Sequence, residues 1–412
     1  MKVAFFIGEF PSISETFILN QITGLIKLGC DVRIFASYPS TPVEPHEDIK
    51  VYNLLSKTFY IPNIPKSYLA RVLKFIVLIF RYSPIAHFRL AKTLNFVKYR
   101  KLSTSLRLFY TSIAFLDAKH SDFDIINCHF GHLGNLALCL RELGFVSGRL
   151  CTTFHAWDVT VYLRQTKSNP YSKLFLDGDL FLPISKRWRE LLIDMGCPSE
   201  KTIIHRMGVN CDDKQFIKHS VNNNDLISLV SVSRLVEKKG ILFAIHAISK
   251  LLKKYPNLQY KIVGDGKLKE ELEQLVDRLD ISNHVSFLGW RTQKNVLEIL
   301  KESSIFIAPS ITTSNGDQEG IPIALMEAMY IGLPVISTAH SAIPELIENK
   351  ITGFLVPERD IEALTVAIAD LISNPEKWSD ITYNARKKIE KEYCLSKQNK
   401  ILYEIFANLC LT

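Results

Sequence analysis

Apolar residues along this chain fall into short unbroken runs separated by stretches of helical spacing. Residues 3–8 (VAFFIG) form the first run. Phe17, Ile18, Ile22, Leu25 and Ile26 then recur at helical spacing before Gly29, and DVRIFA resumes as a strand. The grammar continues with DIINC (124–128), a helix over 131–141, RLCTTF (149–154), LFLPIS (180–185), a helix around 187–195 and TIIHRM (202–207). At 219–225 (HSVNNND) the chain turns polar, and the alternation restarts. LISLVSVS, a helix over 240–253, QYKIVGDG, VSFLG, a helix over 296–301, SIFIAPS, a helix from Pro322, PVIST and GFLV follow in order. Short apolar strands alternating with helices predict the α/β class, with two parallel sheets covered on both faces. The predicted domains are 1–210 and 224–392. Ligands of such sheets sit beyond the carboxyl ends of the strands, so the two halves should turn their strand-end loops to a shared cleft.

With 412 residues, 47% apolar and 22% charged, the chain is long enough for two cores and excludes disorder, collagen and coiled coil. Eight cysteines without CxxC or metal-ligand spacing read as reduced core thiols of a cytosolic protein, with no metal site. MKVAFFIGEF reads as a first strand, since it lacks the length and cleavage site of a signal peptide. The net charge of +8 is concentrated in residues 49–116, where twelve Lys or Arg meet no Asp or Glu. This basic, apolar insert includes FIVLIF, far short of the ~20 residues that span a bilayer. A helix lying on an anionic membrane surface fits it, at ~1 kcal/mol per nearby basic residue; a core-packed helical pair with a positive outer face is the other reading. Its aliphatic content argues against nucleic acid.

Candidate chemistry lies mainly in the second half. In NGDQEGIPIALMEAM, Glu319 and Glu327 would stand roughly 80° apart on a continuous helix, so Glu319 is better placed on a loop and Glu327 in the second turn of a helix starting near Pro322. Gly320 permits close approach, and the amides around Ile321, Pro322 and Ile323 form an anion site flanked by carboxylates that can bind sugar hydroxyls. An ordinary capped helix start is the alternative. Arg234 and Lys239, on the loop SRLVEKKG, can offset a diphosphate without a metal, or can be solvated surface charges. TTFHAWD delivers His155 and Asp158 to a strand end: His155 either touches a sugar hydroxyl or is a core histidine, and Asp158 can contact an acceptor. His129, in NCHFG, is a second acceptor candidate. Asp177 and Asp179 read as a turn rather than metal ligands. No GxGxxG, Walker lysine or GxSxG elbow is present, which disfavours nicotinamide chemistry.

SRLVEKKG, VGDG, FLGW, APS, EGIPIALMEAM, GLPVIST and TGFLVPE occur in the order that resembles retaining glycosyltransferases of family four, which have the GT-B fold. FPSISETFI, FHAWD, LPIS and HRMGVN resemble in particular the bacterial enzymes of colanic acid and related exopolysaccharide biosynthesis. The resemblance implies transfer from a UDP- or GDP-sugar, with retention, no cofactor and no metal. It implies that Arg234 and Lys239 hold the diphosphate, Glu327 the ribose, and Glu319 with the backbone from Gly320 to Ile323 the donor sugar. His155 would lie beside the reacting sugar, and Gly8, Ser14 and Glu15 across the cleft near the phosphates. The first domain would bind a glycan acceptor, and the cationic apolar insert suggests a lipid-linked one, such as a polyprenyl diphosphate oligosaccharide, at the inner membrane face. The last helix, over 395–409 in a C-terminal segment 393–412, would return to the first domain, and closure would occur about a linker near 208–225. A non-catalytic polysaccharide-assembly protein, or a hydrolase or epimerase on this fold, is the alternative reading.

Overall fold

The apolar runs become two six-stranded parallel sheets. The computed structural model describes all residues except 13–14, 41–45, 82–83, 119–120, 167, 213–215, 218–225 and 412. The first sheet holds β1 (Lys2–Phe10), β2 (Asp31–Pro39), β3 (Thr58–Tyr60), β4 (Asp122–His129), β5 (Ser147–Phe154) and β6 (Leu180–Pro183), in the order β3-β2-β1-β4-β5-β6. The second holds β7 (Ile227–Val232), β8 (Leu258–Val263), β9 (Val285–Gly289), β10 (Ile305–Ala308), β11 (Val335–Thr338) and β12 (Phe354–Val356), in the order β12-β11-β10-β7-β8-β9. Both orders are doubly wound, with switch points between β1 and β4 and between β7 and β10. Helices on both faces explain why Val3, Ala4, Phe5, Phe6 and Ile7 are consecutive and all fully buried.

Two strand assignments differ from the sequence expectation. TIIHRM is not a sheet strand: it runs beside β6, joined by a single bridge at Thr202 and by the Ile203 and His205 amides. The sixth strand is instead β3, three residues inside the basic insert. The insert also supplies core. Helix Arg107–Ala118 buries Leu108, Phe109, Tyr110, Ile113 and Phe115, and Phe115 stacks on Phe35 at 4.0 Å. Helix Tyr68–Ile79 is different, because none of its residues is fully buried. Val72, Phe75 and Leu78 pack inward, while Leu69, Leu73, Ile76 and Val77, with Phe80 beyond, face outward. Its cations do not join them: Arg71 donates to the Pro65 and Ser105 carbonyls and Lys74 to that of Asn63. Among the described residues, no helix is long and apolar enough to cross a membrane.

The predicted domain boundary at 220–225 and most of the expected linker lie outside the described residues. The chain's two described crossings between the halves meet each other, as the Val209 amide donates to Tyr393 O (2.9 Å) and the Leu395 amide to Val209 O (2.8 Å). A Cβ on Gly208 would lie 2.7 Å from the Leu395 Cα, so glycine allows this approach. From here helix Leu395–Leu411 runs back over the first domain. Leu402 and Phe406, both fully buried, join Ile18, Ile22 and Leu25 of helix Thr16–Lys27. Asn399 fills the space over Gly24, where an added Cβ would meet its Nδ2 at 2.0 Å.

Candidate active site

The strand-end loops of both sheets enclose one cleft of about 1670 Å³. On the second-domain side, β7 ends at Val232 and hands the chain to Ser233 and Arg234. A short turn, Glu237–Lys239, then presents Lys239 before helix Ile241–Leu251. Gly240 makes this turn possible: its φ is +63°, and a Cβ there would lie 1.9 Å from the Pro309 carbonyl oxygen.

Opposite that turn, the loop after β10 returns with Asp317 and Glu319. Lys239 Nζ pairs with Glu319 Oε2 at 2.6 Å, and Lys238 Nζ with Asp317 Oδ1 at 3.1 Å. Burial alone would push the Glu319 carboxyl up, but the ammoniums of Lys239 and Lys238, with Arg234, outweigh it and hold the group at about 2. The Glu319 amide donates to His340 Nε2 (2.9 Å), so the His340 proton belongs on Nδ1, which faces Glu358 Oε1 at 2.6 Å. Burial keeps this imidazole neutral. A Glu358–His340 chain thus fixes the backbone at Glu319.

Gly320, Ile321, Pro322, Ile323 and Ala324 line the cleft where helix Ile323–Ile331 begins. Pro322 caps this helix and contributes no N–H, so the amides free to meet an anion are those of Ile321, Ile323 and Ala324. Glu327 lies in the second turn and also lines the cleft; burial pushes it up to about 7, against the Gln293 amide that donates to it.

The first domain supplies Gly8 near the end of β1, with open space on its Cα side, and Glu15 at the start of helix Thr16–Lys27. Burial and then Glu9 push Glu15 up to about 7 while Arg234 opposes them, which places Glu15 across the cleft from Arg234. Its Oε2 has no hydrogen-bond partner. Ser14 lies outside the described residues. His155 lines the cleft at 7% exposure, held neutral by burial at about 3, between the rings of Phe17 (4.9 Å) and Phe130 (4.6 Å).

Two expected acceptor contacts are corrected. Asp158 is fully buried, and its oxygens accept from the amides of Gly131 and His155, both at 2.8 Å. His129 is also fully buried, stacked on Phe5 with Nδ1 at 3.1 Å from His155 Nε2. Both are supports for His155 rather than cleft residues. Asp179 is structural as well: it accepts from Arg141, Arg149 and the Leu150 amide. Sequence reasoning missed the rings that do reach the cleft, Phe130, His132 and Trp157, along with Gln293 and the His340–Glu358 pair. Phe130 carries a signal visible only in the fold, a φ of +74° that a bulky residue adopts when its surroundings impose it.

Comparison with known proteins agrees with this geometry. Residues 14–213 match the Glycosyltransferase Family 4 description, and residues 212–388 that of Glycosyl transferases group 1. The amylovoran biosynthesis glycosyltransferase AmsK of Erwinia amylovora is 36% identical over 99% of this chain and 100% of its own length. The putative colanic acid biosynthesis glycosyltransferase WcaL of Salmonella typhimurium is 37% identical over 99% of this chain and 100% of its own. Among solved structures, HepE of Anabaena in complex with UDP superposes with a TM-score of 0.69 at 16% identity, over 99% of this chain and 100% of that one. Sucrose-phosphate synthase of Thermosynechococcus elongatus gives 0.71 at 17% identity, over 99% of each chain. With two doubly wound sheets facing one cleft, and relatives matched from end to end, the chain belongs to the family four, group 1 glycosyltransferases of GT-B fold.

Proposed function

We propose that the protein moves a sugar from a nucleoside diphosphate donor to a lipid-linked glycan in bacterial exopolysaccharide assembly, with retention at the anomeric carbon and no metal. The observation that carries this is the convergence, in one cleft, of Arg234, Lys239, Glu319 and the amides at Ile321, Ile323 and Ala324. Two cations and a helix N-terminus offset the charge that builds on a diphosphate as it leaves, the task a metal performs in other enzymes. Glu319, kept ionised, has Oε1 available for a donor-sugar hydroxyl while Oε2 orients Lys239. Glu327 accepts from the ribose, and neutral His155 lies beside the reacting sugar. In the reaction the bond from anomeric carbon to diphosphate oxygen breaks, the acceptor oxygen bonds to that carbon from the same face, and its proton passes to the departing phosphate. A non-catalytic assembly protein has no need of this convergence.

Incubation with UDP- and GDP-sugars and acceptor, with product NMR, tests the reading. The expected product keeps the donor's anomeric configuration and forms in chelator. Inversion, free sugar as sole product, or no affinity for either nucleotide in calorimetry would refute the corresponding part.

Binding at the inner membrane face is part of the proposal. It is supported by the outward row Leu69, Leu73, Ile76, Val77 and Phe80, next to exposed Lys66, Arg81, Arg89 and Lys92. The protein should float with anionic liposomes at low salt, and Leu73→Glu with Val77→Glu should release most of it. Wild-type protein left at the bottom of the gradient would remove the membrane claim.

A further inference from the structure

The cleft extends well beyond the donor groups, along the basic insert. Lys66, Arg71, Lys101 and Arg107 all line it, together with Asn63 and Ser105. Residues 49–116 contain no Asp or Glu, so these four cations have no acid partner of local origin. Carboxylates from other elements lie along the first-domain wall, namely Glu9, Glu15 and Glu47, but among the described residues none forms an ion pair with the four.

Arg107 is the most informative of them. Its guanidinium is half-buried, and the charged or titratable groups around it are the phenols of Tyr38 and Tyr162 and the imidazole of His132. Burial makes its charge harder to carry, and burial with Arg107 itself keeps His132 neutral, down to about 4. A desolvated cation normally has a counter-charge beside it, and among the described residues no carboxylate pairs with this one. The segment is also held in place. Arg71 ties the Pro65 loop to the Ser105 carbonyl, and the Tyr110 hydroxyl donates to Arg71 O at 2.8 Å. Lys66 stands two residues before helix Tyr68–Ile79, whose outer apolar face begins at Tyr68 and Leu69. An apolar surface therefore runs directly into a cationic rim of the cleft.

We propose that Arg107, with Lys66, Arg71 and Lys101, forms a second anion subsite, separate from the donor grip, which takes the diphosphate of a lipid-linked acceptor. This rests on the glycosyltransferase reading above and adds to it where the acceptor is held. The guanidinium fork of Arg107 suits two oxygens of a phosphate group; Arg71, whose nitrogens donate to the Pro65, Lys66 and Ser105 carbonyls, holds the loop and adds charge, and the two lysines provide point charges. The lipid chain leaves along the apolar face, while the glycan points inward to the aromatic rings of Trp157 and His132.

The test uses full-length protein with its donor site saturated by whichever of UDP and GDP binds, titrated calorimetrically with farnesyl diphosphate and, separately, with inorganic pyrophosphate. Wild-type protein should bind farnesyl diphosphate despite the nucleotide. Arg107→Met should bind it at least tenfold more weakly, with nucleotide affinity unchanged within twofold. Lys101→Met, at an exposed position, is the second variant should the first fail to fold, and should weaken binding about threefold. Pyrophosphate bound as tightly as farnesyl diphosphate, and lost in the same variants, supports the subsite and assigns the lipid no contact there. Unaltered affinity in both variants, or displacement of farnesyl diphosphate by the nucleotide with loss in Lys239→Ala, would overturn it. Failure of wild-type protein to bind either nucleotide would instead sink the donor reading, and the titrations without nucleotide would still report on the subsite.

Discussion

Lys239→Ala should lower kcat/KM for the nucleotide sugar by about 100-fold or more, the scale seen when one charge-stabilising group is removed from an active site. The large effect follows from the two tasks of this ammonium. It faces the departing diphosphate, and it is the closest counter-charge of Glu319, 2.6 Å away. Without it, the burial that already works against the Glu319 carboxylate is opposed only by Lys238 and Arg234, so the carboxyl rises from its depressed value of about 2. A shift upward means that Glu319 ionisation is lost at a higher pH, and the acid limb of the rate profile should move upward with it. Adding Glu319→Gln to Lys239→Ala should restore the stability lost through an unpaired buried carboxylate but none of the activity, since the diphosphate grip stays incomplete. Turnover within twofold of the parent in both Lys239→Ala and Glu319→Ala would show that the donor site is elsewhere.

The second large effect is on stability and lies far from the cleft. Phe406→Ala should destabilise the protein by about 3–5 kcal/mol, the usual cost of removing a fully buried phenylalanine ring. Phe406 belongs to the last helix in sequence, yet it packs among Ile18, Ile22 and Leu25 near the start of the chain. Against a typical total of about 5–15 kcal/mol, this is a large share of what keeps the first domain folded. Urea denaturation followed by a probe in that domain should show the midpoint fall. A change under about 1 kcal/mol would mean that the ring is not part of its core.

Much of the architecture was readable because parallel strands buried on both faces leave unbroken apolar runs, and VAFFIG and LISLVSVS could be nothing else for their length. The exceptions have a physical reason. β3 is three residues long within an insert whose apolar residues serve helices, so no run announces it. TIIHRM has strand composition, but it lies past the edge of the sheet and keeps one bridge. In the site, Arg234, Lys239, Glu319 and Glu327 were accessible because strand ends of one sheet must gather at one rim. The same rule misled for His129 and Asp158. A strand-end position says which rim a residue occupies, not whether its side chain turns into the cleft or back toward the protein. That direction is set by partners such as the Gly131 amide, 27 residues from Asp158. The Glu358–His340 brace and the Gln293–Glu327 contact likewise join loops that sequence spacing does not relate.

The bonding of Val209 to Tyr393 and Leu395 has a mechanical consequence. Two polypeptide links between the halves would ordinarily permit sliding and twisting as well as rotation; fastened together at one spot, they would favour a swing about that spot. On closure, the groups on opposite walls, Arg234 and Glu15 among them, would approach along one repeatable arc. The tail of the chain, by gripping its beginning, would hold such a pivot in register.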